Sequence, residues 1–451
     1  MSNHYFGGKI LEKNKKTMIG ELGAGILIVI MLLMIVMETL AKYYRLKNEF
    51  TLRMLRYFYV VGCIMILYVI IYIVMVIKER GISTVKTYFR DNRYDILWLI
   101  FLLYAFVAAV FSEDRKKAFF GLKYRGTGFF AYLIFVAAYI CGKMIGYQKE
   151  KFESKPDNTH SDSSLASAVG NMKKYIYFAF MMVCTFQNLL LIFREMGQFG
   201  MKAGAFYNTN HSAYFMVISL FATIGYAALA NTPVKKLLGI GLYIVNLWCL
   251  IINDTFGAYL AVIVGLVFVS VLHFVKYRKV KPIVVISIIL FGVISVWTDY
   301  KTNIISRNFG VLSSDTENIS KNDVRAGEAG SGRWDLWVKG FDYVKRHPIL
   351  GCGPDCMPID SETGEILMLP HNEYLQYAME IGIPATFLYI AGLILLLVQR
   401  IKRIKSTEES AVYDCAAVAG YCASAFFGVV IFYTAVYYFI FLGMTSAKTE
   451  G

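Results

Sequence analysis

Apolar runs of about 17–25 residues recur along the whole chain, each long enough to cross a bilayer as a helix. Nine precede residue 299: Ile19–Leu40, Tyr57–Ile77, Tyr94–Phe111, Gly126–Gly146, Tyr175–Phe193, Ser212–Ala230, Leu237–Ile252, Thr255–Val275 and Pro282–Thr298. A polar stretch, roughly 299–371, follows, and a tenth run covers Tyr374–Val398. The last run, Ala411–Met444, is too long for one untilted helix and is expected to form two short ones with a turn near Gly428. The runs are continuous rather than alternating, which excludes a membrane β-barrel. The pattern predicts an all-α polytopic membrane protein with about 12 spans and a large loop between the ninth and tenth. The expected division is a nine-helix region at 1–298, a loop at 299–372 and C-terminal membrane helices at 373–451.

Composition agrees, with 57% hydrophobic and only 17% charged residues, more apolar surface than a soluble chain of this size buries. The first apolar run has no small-residue cleavage site after it and is expected to remain as a span. The net charge of +14 reads as basic membrane-flanking loops rather than nucleic-acid binding. Five basic clusters fall on the side of an N-terminus that carries Lys9, Lys13, Lys15 and Lys16. They are Lys78/Arg80/Lys86/Arg90/Arg93, Lys149/Lys151/Lys155, Lys235/Lys236, Lys276/Arg278/Lys279/Lys281 and Arg400/Lys402/Arg403/Lys405. Two clusters oppose them, Lys42/Arg45/Lys47/Arg53/Arg56 and Arg115/Lys116/Lys117. The majority places both termini in the cytoplasm and the long loop outside the cell membrane, external or periplasmic. Segment 152–172 is polar and serine-rich, as a flexible cytoplasmic linker would be.

The long loop changes character along its length. Residues 313–332 carry almost nothing to bury and read as flexible, whereas 331–348 place Trp334, Trp337, Val338, Phe341 and Val344 on one helical face. Ser331 is the expected N-cap and Pro348 the stop. Two tryptophans on such a helix suggest a position at headgroup level. A glycine- and proline-rich turn, "ILGCGPDCMP", follows, and then "LPHNEYLQYAMEIGIPA" leads into the tenth run.

The ordered set "GRWDLWVKGFDYVKRHPILGCGPD…PHNEYLQYAMEIGIPA" resembles the signature of the bacterial O-antigen ligase and polysaccharide polymerase family. Weaker echoes are "AGAFYNTNHSAYFM" at 203–216, "KYRGTGFF" at 123–130 and "INDTFGAYLA" at 252–261. The resemblance implies a GT-C-like membrane glycosyltransferase with about twelve spans, similar to the count made from the runs. It implies a donor glycan on a polyprenyl diphosphate, an acceptor glycan or glycolipid, the bilayer as a third partner, and no nucleic acid. It implies an inverting transfer that uses no cofactor and no metal, because the sugar is already activated by its diphosphate.

Such a transfer needs a base for the acceptor hydroxyl and a cation for the departing diphosphate. His371 titrates near neutrality and suits the first role, though a histidine beside a span is also an ordinary interface residue. Arg333 suits the second, since a guanidinium at a helix start adds to the free N–H groups there; the bland alternative is a solvated charge. The resemblance implies the essential histidine at 371 and favours the functional reading of both. It also implies a second arginine near the fifth and sixth spans. Arg194 and Lys202 stand there, with lysine nearest the motif, and Arg125 competes for the role. Asn372 could orient the acceptor or the imidazole, and His211 is a second base candidate or a plain helix-end histidine. Cys352 and Cys356 are expected to be free thiols, and Asp355, Asp360, Glu362 and Glu365 a solvated acidic loop. The rival class is a non-enzymatic carrier of lipid-linked glycans, which should line its spans with charge. A membrane anchor or assembly protein is a third reading, and neither explains the ordered loop motif.

Overall fold

The computed structural model describes residues 2–44, 50–146, 167–195, 202–206, 208–321, 323–359, 364 and 366–446, with backbone alone for 2–17, 50, 51, 194, 195 and 324. Most of the expected linker, 152–166, therefore lies outside the described residues. Among those described there is no strand, only one isolated antiparallel bridge between Ile359 and Ile366. All else is helix and turn, as it must be where no water satisfies the backbone.

The first half contains α1 (Ser2–Tyr43), α2 (Phe50–Arg80), α3 (Ser83–Asp91), α4 (Arg93–Phe111), α5 (Arg115–Phe120), α6 (Phe129–Gly146), α7 (Met172–Glu195) and α8 (Thr209–Leu229). The second half contains α9 (Pro233–Ile252), α10 (Phe256–Tyr277), α11 (Pro282–Thr302), α12 (Ile304–Ser320), α13 (Arg333–Arg346), α14 (Glu373–Glu380), α15 (Ile383–Lys402), α16 (Ser410–Ser424) and α17 (Phe432–Ser446). Eleven of these are long and apolar enough to cross a membrane, and α17 is a shorter apolar helix. The last apolar run does divide at Gly428, between α16 and α17. Pro233 and Pro282 open α9 and α11, where a missing N–H leaves no helical bond unmade.

Helix α8 is enclosed on all sides, with α7, α9 and α16 packed around it. Helix α17 lies along α6, where Phe135 and Phe439 stack at 5.1 Å. Ion pairs mark the two ends of the bundle. At one end Lys143 meets Asp95 and Lys173 meets Asp414, at 2.8 and 2.9 Å. At the other, Arg53 meets Glu38 at 3.0 Å, and Lys42 donates to the carbonyls of Gly204 and Phe206. Lys42 and Arg53, which oppose the charge bias of the other loops, are thus held by specific partners at the same end as the long loop.

Three expectations for the loop are corrected. Residues 304–320 form α12 and Val324–Glu328 a 3-10 turn, so the stretch after residue 312 is not simply flexible. The N-cap of the tryptophan helix is Gly332, not Ser331. The tenth run is two helices, α14 and α15, broken at Gly382, whose φ of +105° suits only glycine. The turn at 348–353 nests into this break. Ile383 N donates to Pro348 O at 2.9 Å, Cys352 N to Met379 O at 3.0 Å and Gly353 N to Glu380 O at 2.8 Å. Those bonds satisfy carbonyls that a helix end leaves free. A Cβ on Gly382 would lie 2.1 Å from Ile349 O, so the nesting requires a bare backbone there.

Candidate active site

The site is built on the turn before α14. His371 adopts a left-handed conformation, φ +48°, and Asn372 returns to extended backbone at φ −149°. Asn372 then caps α14, its side-chain oxygen accepting from the N–H groups of Tyr374 and Leu375 at 3.0 and 3.1 Å. The Asn372 oxygen, one of the two polar ends expected to orient an acceptor or the imidazole, is thus engaged by the helix start. The kink leaves the His371 imidazole half-buried, with Nδ1 enclosed and without a hydrogen-bond partner. Burial first, and the nearby Arg333 charge second, hold the His371 pKa below its ordinary 6.5.

Arg333 is the first residue of α13 and follows three left-handed residues, Gly330, Ser331 and Gly332. No side chain caps this helix; of its first N–H groups, that of Trp334 donates to the Ala329 carbonyl at 3.2 Å. Among the described residues no carboxylate pairs with Arg333. Trp337, one turn on, donates its indole N–H to the Pro370 carbonyl at 2.7 Å. Arg333 lies within electrostatic reach of His371 and of Tyr214 on α8.

His211 belongs to the same neighbourhood, within electrostatic reach of His371. It sits in the first turn of α8, which Asn208 caps by accepting from Asn210 N at 2.8 Å. The His211 Nδ1 is 2.7 Å from the Tyr433 hydroxyl of α17, so this ring already has a partner.

Two other expected phosphate binders are occupied elsewhere. Arg125 Nε is 2.7 Å from Asp355 Oδ1, and its Nη2 donates to the Asp355 carbonyl at 2.6 Å. Asp355 is fully buried, and its Oδ2 also accepts from Leu122 N and Thr127 N at 2.5 and 3.0 Å. Burial pushes its carboxyl pKa up while Arg125 opposes the shift. Asp355 is therefore not part of a solvated acidic loop; it fastens the 349–358 turn to the bundle through Arg125. Asp360, Glu362 and Glu365 lie outside the described residues. Lys202 pairs with Asp254 at 3.0 Å, and the same carboxylate receives Arg307 at 2.6 Å and Asn308 at 3.0 Å. Arg194 lies at the end of α7, but its side chain is outside what is described. Cys352 and Cys356 are free thiols. Among the described residues no cluster of three or more His, Cys, Asp and Glu is placed to hold a metal.

The structure thus brings His371, Arg333 and His211 together and sets Arg125, Lys202 and Asn372 to structural bonds. It adds residues that the sequence did not single out. Glu373, buried behind His371, accepts from Tyr421 at 2.8 Å, and Tyr214 stands beside both. Trp337 had a legible signal, its place one turn from Arg333; Tyr214 and Glu373 read as span and helix-start residues.

A family model described as O-Antigen ligase matches residues 241–390, a stretch that includes both Arg333 and His371. No curated protein and no solved structure matches the chain. This multi-pass membrane protein therefore carries, over residues 241–390, the domain of the O-antigen ligase and polymerase family.

Proposed function

We propose that the chain transfers an oligosaccharide from a polyprenyl diphosphate to an acceptor glycan or glycolipid at the outer face of the cell membrane. The observation that carries this reading is Arg333, unpaired among the described residues, beside an imidazole whose Nδ1 likewise lacks a partner among them, the two held together by Trp337 and Pro370. In the reaction the acceptor oxygen attacks the anomeric carbon and His371 takes its proton. The bond from that carbon to the diphosphate oxygen breaks, its electron pair leaves with the diphosphate, and Arg333 holds the charge. Attack opposite the leaving group inverts the anomeric centre. A base held below its ordinary pKa is neutral, and ready, at pH 7.

The outward face is assigned from charge. Lys86, Arg90, Lys276, Lys281, Arg400 and Lys402 all lie at the end opposite the site, as cytoplasmic residues would. The buried charges Lys173 and Asp414 pair with each other at that far end rather than lining a path, which favours an enzyme over a carrier. Between the two family activities we favour the polymerase, which needs only the donor pool itself. The test is a purified protein given polyprenyl-diphosphate oligosaccharide and acceptor. Product should form, and should disappear in His371→Ala and Arg333→Ala. Full activity in both variants overturns the site, and no transfer with any glycan donor favours the carrier.

A further inference from the structure

We propose that Tyr214 is a third substrate-contacting group, its hydroxyl donating to the same diphosphate that Arg333 holds. The proposal rests on the transferase reading above and deepens it. Tyr214 lies on α8, two residues beyond Ser212, and is fully enclosed. Its hydroxyl has no hydrogen-bond partner among the described residues.

That is unusual for this interior. Tyr421 donates to Glu373, Tyr437 to Met31 O, Tyr389 to Tyr438, and Tyr433 is bonded to His211. Among the tyrosines of the described residues only Tyr132 shares the condition, and its charged neighbours are the carboxylates Glu380, Asp355 and Glu373, with no cation among them. Tyr214 instead has Arg333 and Glu373 as its charged neighbours. Glu373 already accepts from Tyr421, and Arg333 can only donate. A hydroxyl without a partner among the described residues, with the Arg333 guanidinium in electrostatic reach, gives two donors and no acceptor between them. A diphosphate supplies that acceptor, with several anionic oxygens for donors that converge on it.

The fold keeps the hydroxyl where it is. Its tip lies against Gly428 in the turn between α16 and α17, and a Cβ there would come within 2.2 Å of the oxygen. Glycine at 428 is what leaves room for the phenol there.

Tyr214→Phe deletes the hydroxyl and keeps the ring. Wild type and His371→Ala are run first: activity in the one and none in the other establishes the transferase, and an inert wild type overturns the reading and this inference with it. Given an active wild type, Tyr214→Phe should melt at or above the wild-type temperature, since no internal bond is lost. Its kcat should fall about ten- to hundred-fold, the size of one hydrogen bond to a charged group. The inhibition constant of sugar-free polyprenyl diphosphate should rise about ten-fold. A fully active Tyr214→Phe overturns the proposal. So does an unchanged inhibition constant, which would place the hydroxyl on the sugar, and so does a marked loss of thermal stability, which would mean an internal partner.

Discussion

Trp337 donates its indole N–H to the Pro370 carbonyl across 2.7 Å, and through that bond the helix headed by Arg333 and the turn carrying His371 are one unit. The two residues are 38 positions apart in sequence (371 − 333), and neither the helix nor the turn fixes their separation alone. Trp337→Phe keeps most of the ring and removes the bond. We expect a folded protein whose kcat/KM falls about ten-fold, the scale of losing one hydrogen bond in a positioned site. Steady-state kinetics beside a thermal melt checks this; wild-type kcat/KM would mean that the two arms are held independently.

The pH profile carries a second expectation. His371 must be neutral to accept a proton, so activity is present above its pKa and lost as pH falls through it. Burial and the Arg333 charge both depress that pKa, which puts the acid limb of kcat/KM below 6.5. Arg333→Gln removes one of the two causes. The His371 imidazole of that variant, titrated by NMR, should show a pKa shifted upward toward 6.5, and a pKa that stays in place would show that Arg333 does not act on His371.

Asn372 stands beside the catalytic candidate, yet its bonds are those of a helix cap. Asn372→Ala should lower stability by about 1 kcal/mol, and Asn372→Asp by far less, because aspartate caps equally well. Detergent-solubilised thermal unfolding measures both. Loss of turnover in a fully stable Asn372→Asp would return the side chain to the chemistry.

The arginines should separate cleanly. Arg125→Met leaves Asp355 buried and unpaired, a change that typically costs about 3–5 kcal/mol, and the double replacement Arg125→Met/Asp355→Leu should recover much of it. Arg333→Met breaks no pair among the described residues and should melt within about 0.5 kcal/mol of wild type while losing transfer activity. If instead Arg125→Met folds normally and raises the donor KM, Arg125 is a phosphate binder after all.

How much of this was legible in the sequence follows from the range over which each signal acts. The spans were readable because a 20-residue apolar run has few other solutions in a membrane chain. The short helices α3 and α5 carried no such signal. The break at Gly382 was hidden by apolar residues on both sides, although glycine followed two residues later by Pro384 is a local helix-start signal that could have revealed it. Helix α12 was hidden by its polar composition. The loop motif gave His371 and Arg333 by resemblance, and "HNEYL" held a readable cap at Asn372. The pairing of Arg125 with Asp355, 230 residues later, had no local trace, and neither did the missing partner of Tyr214. Sequence pattern reports which groups are available; only the fold decides which of them are already satisfied.

The antiparallel bridge between Ile359 and Ile366, with Leu367 N donating to Pro358 O at 2.8 Å, pinches the long loop shut at its tip. Chain added beyond the pinch would leave the arm with Arg333 and the arm with His371 undisturbed. The bridge therefore marks where an epitope or a protease site can be inserted with both arms kept as they are. Cleavage of such a site in intact cells, by protease added from outside, would read out directly which side of the membrane the loop faces.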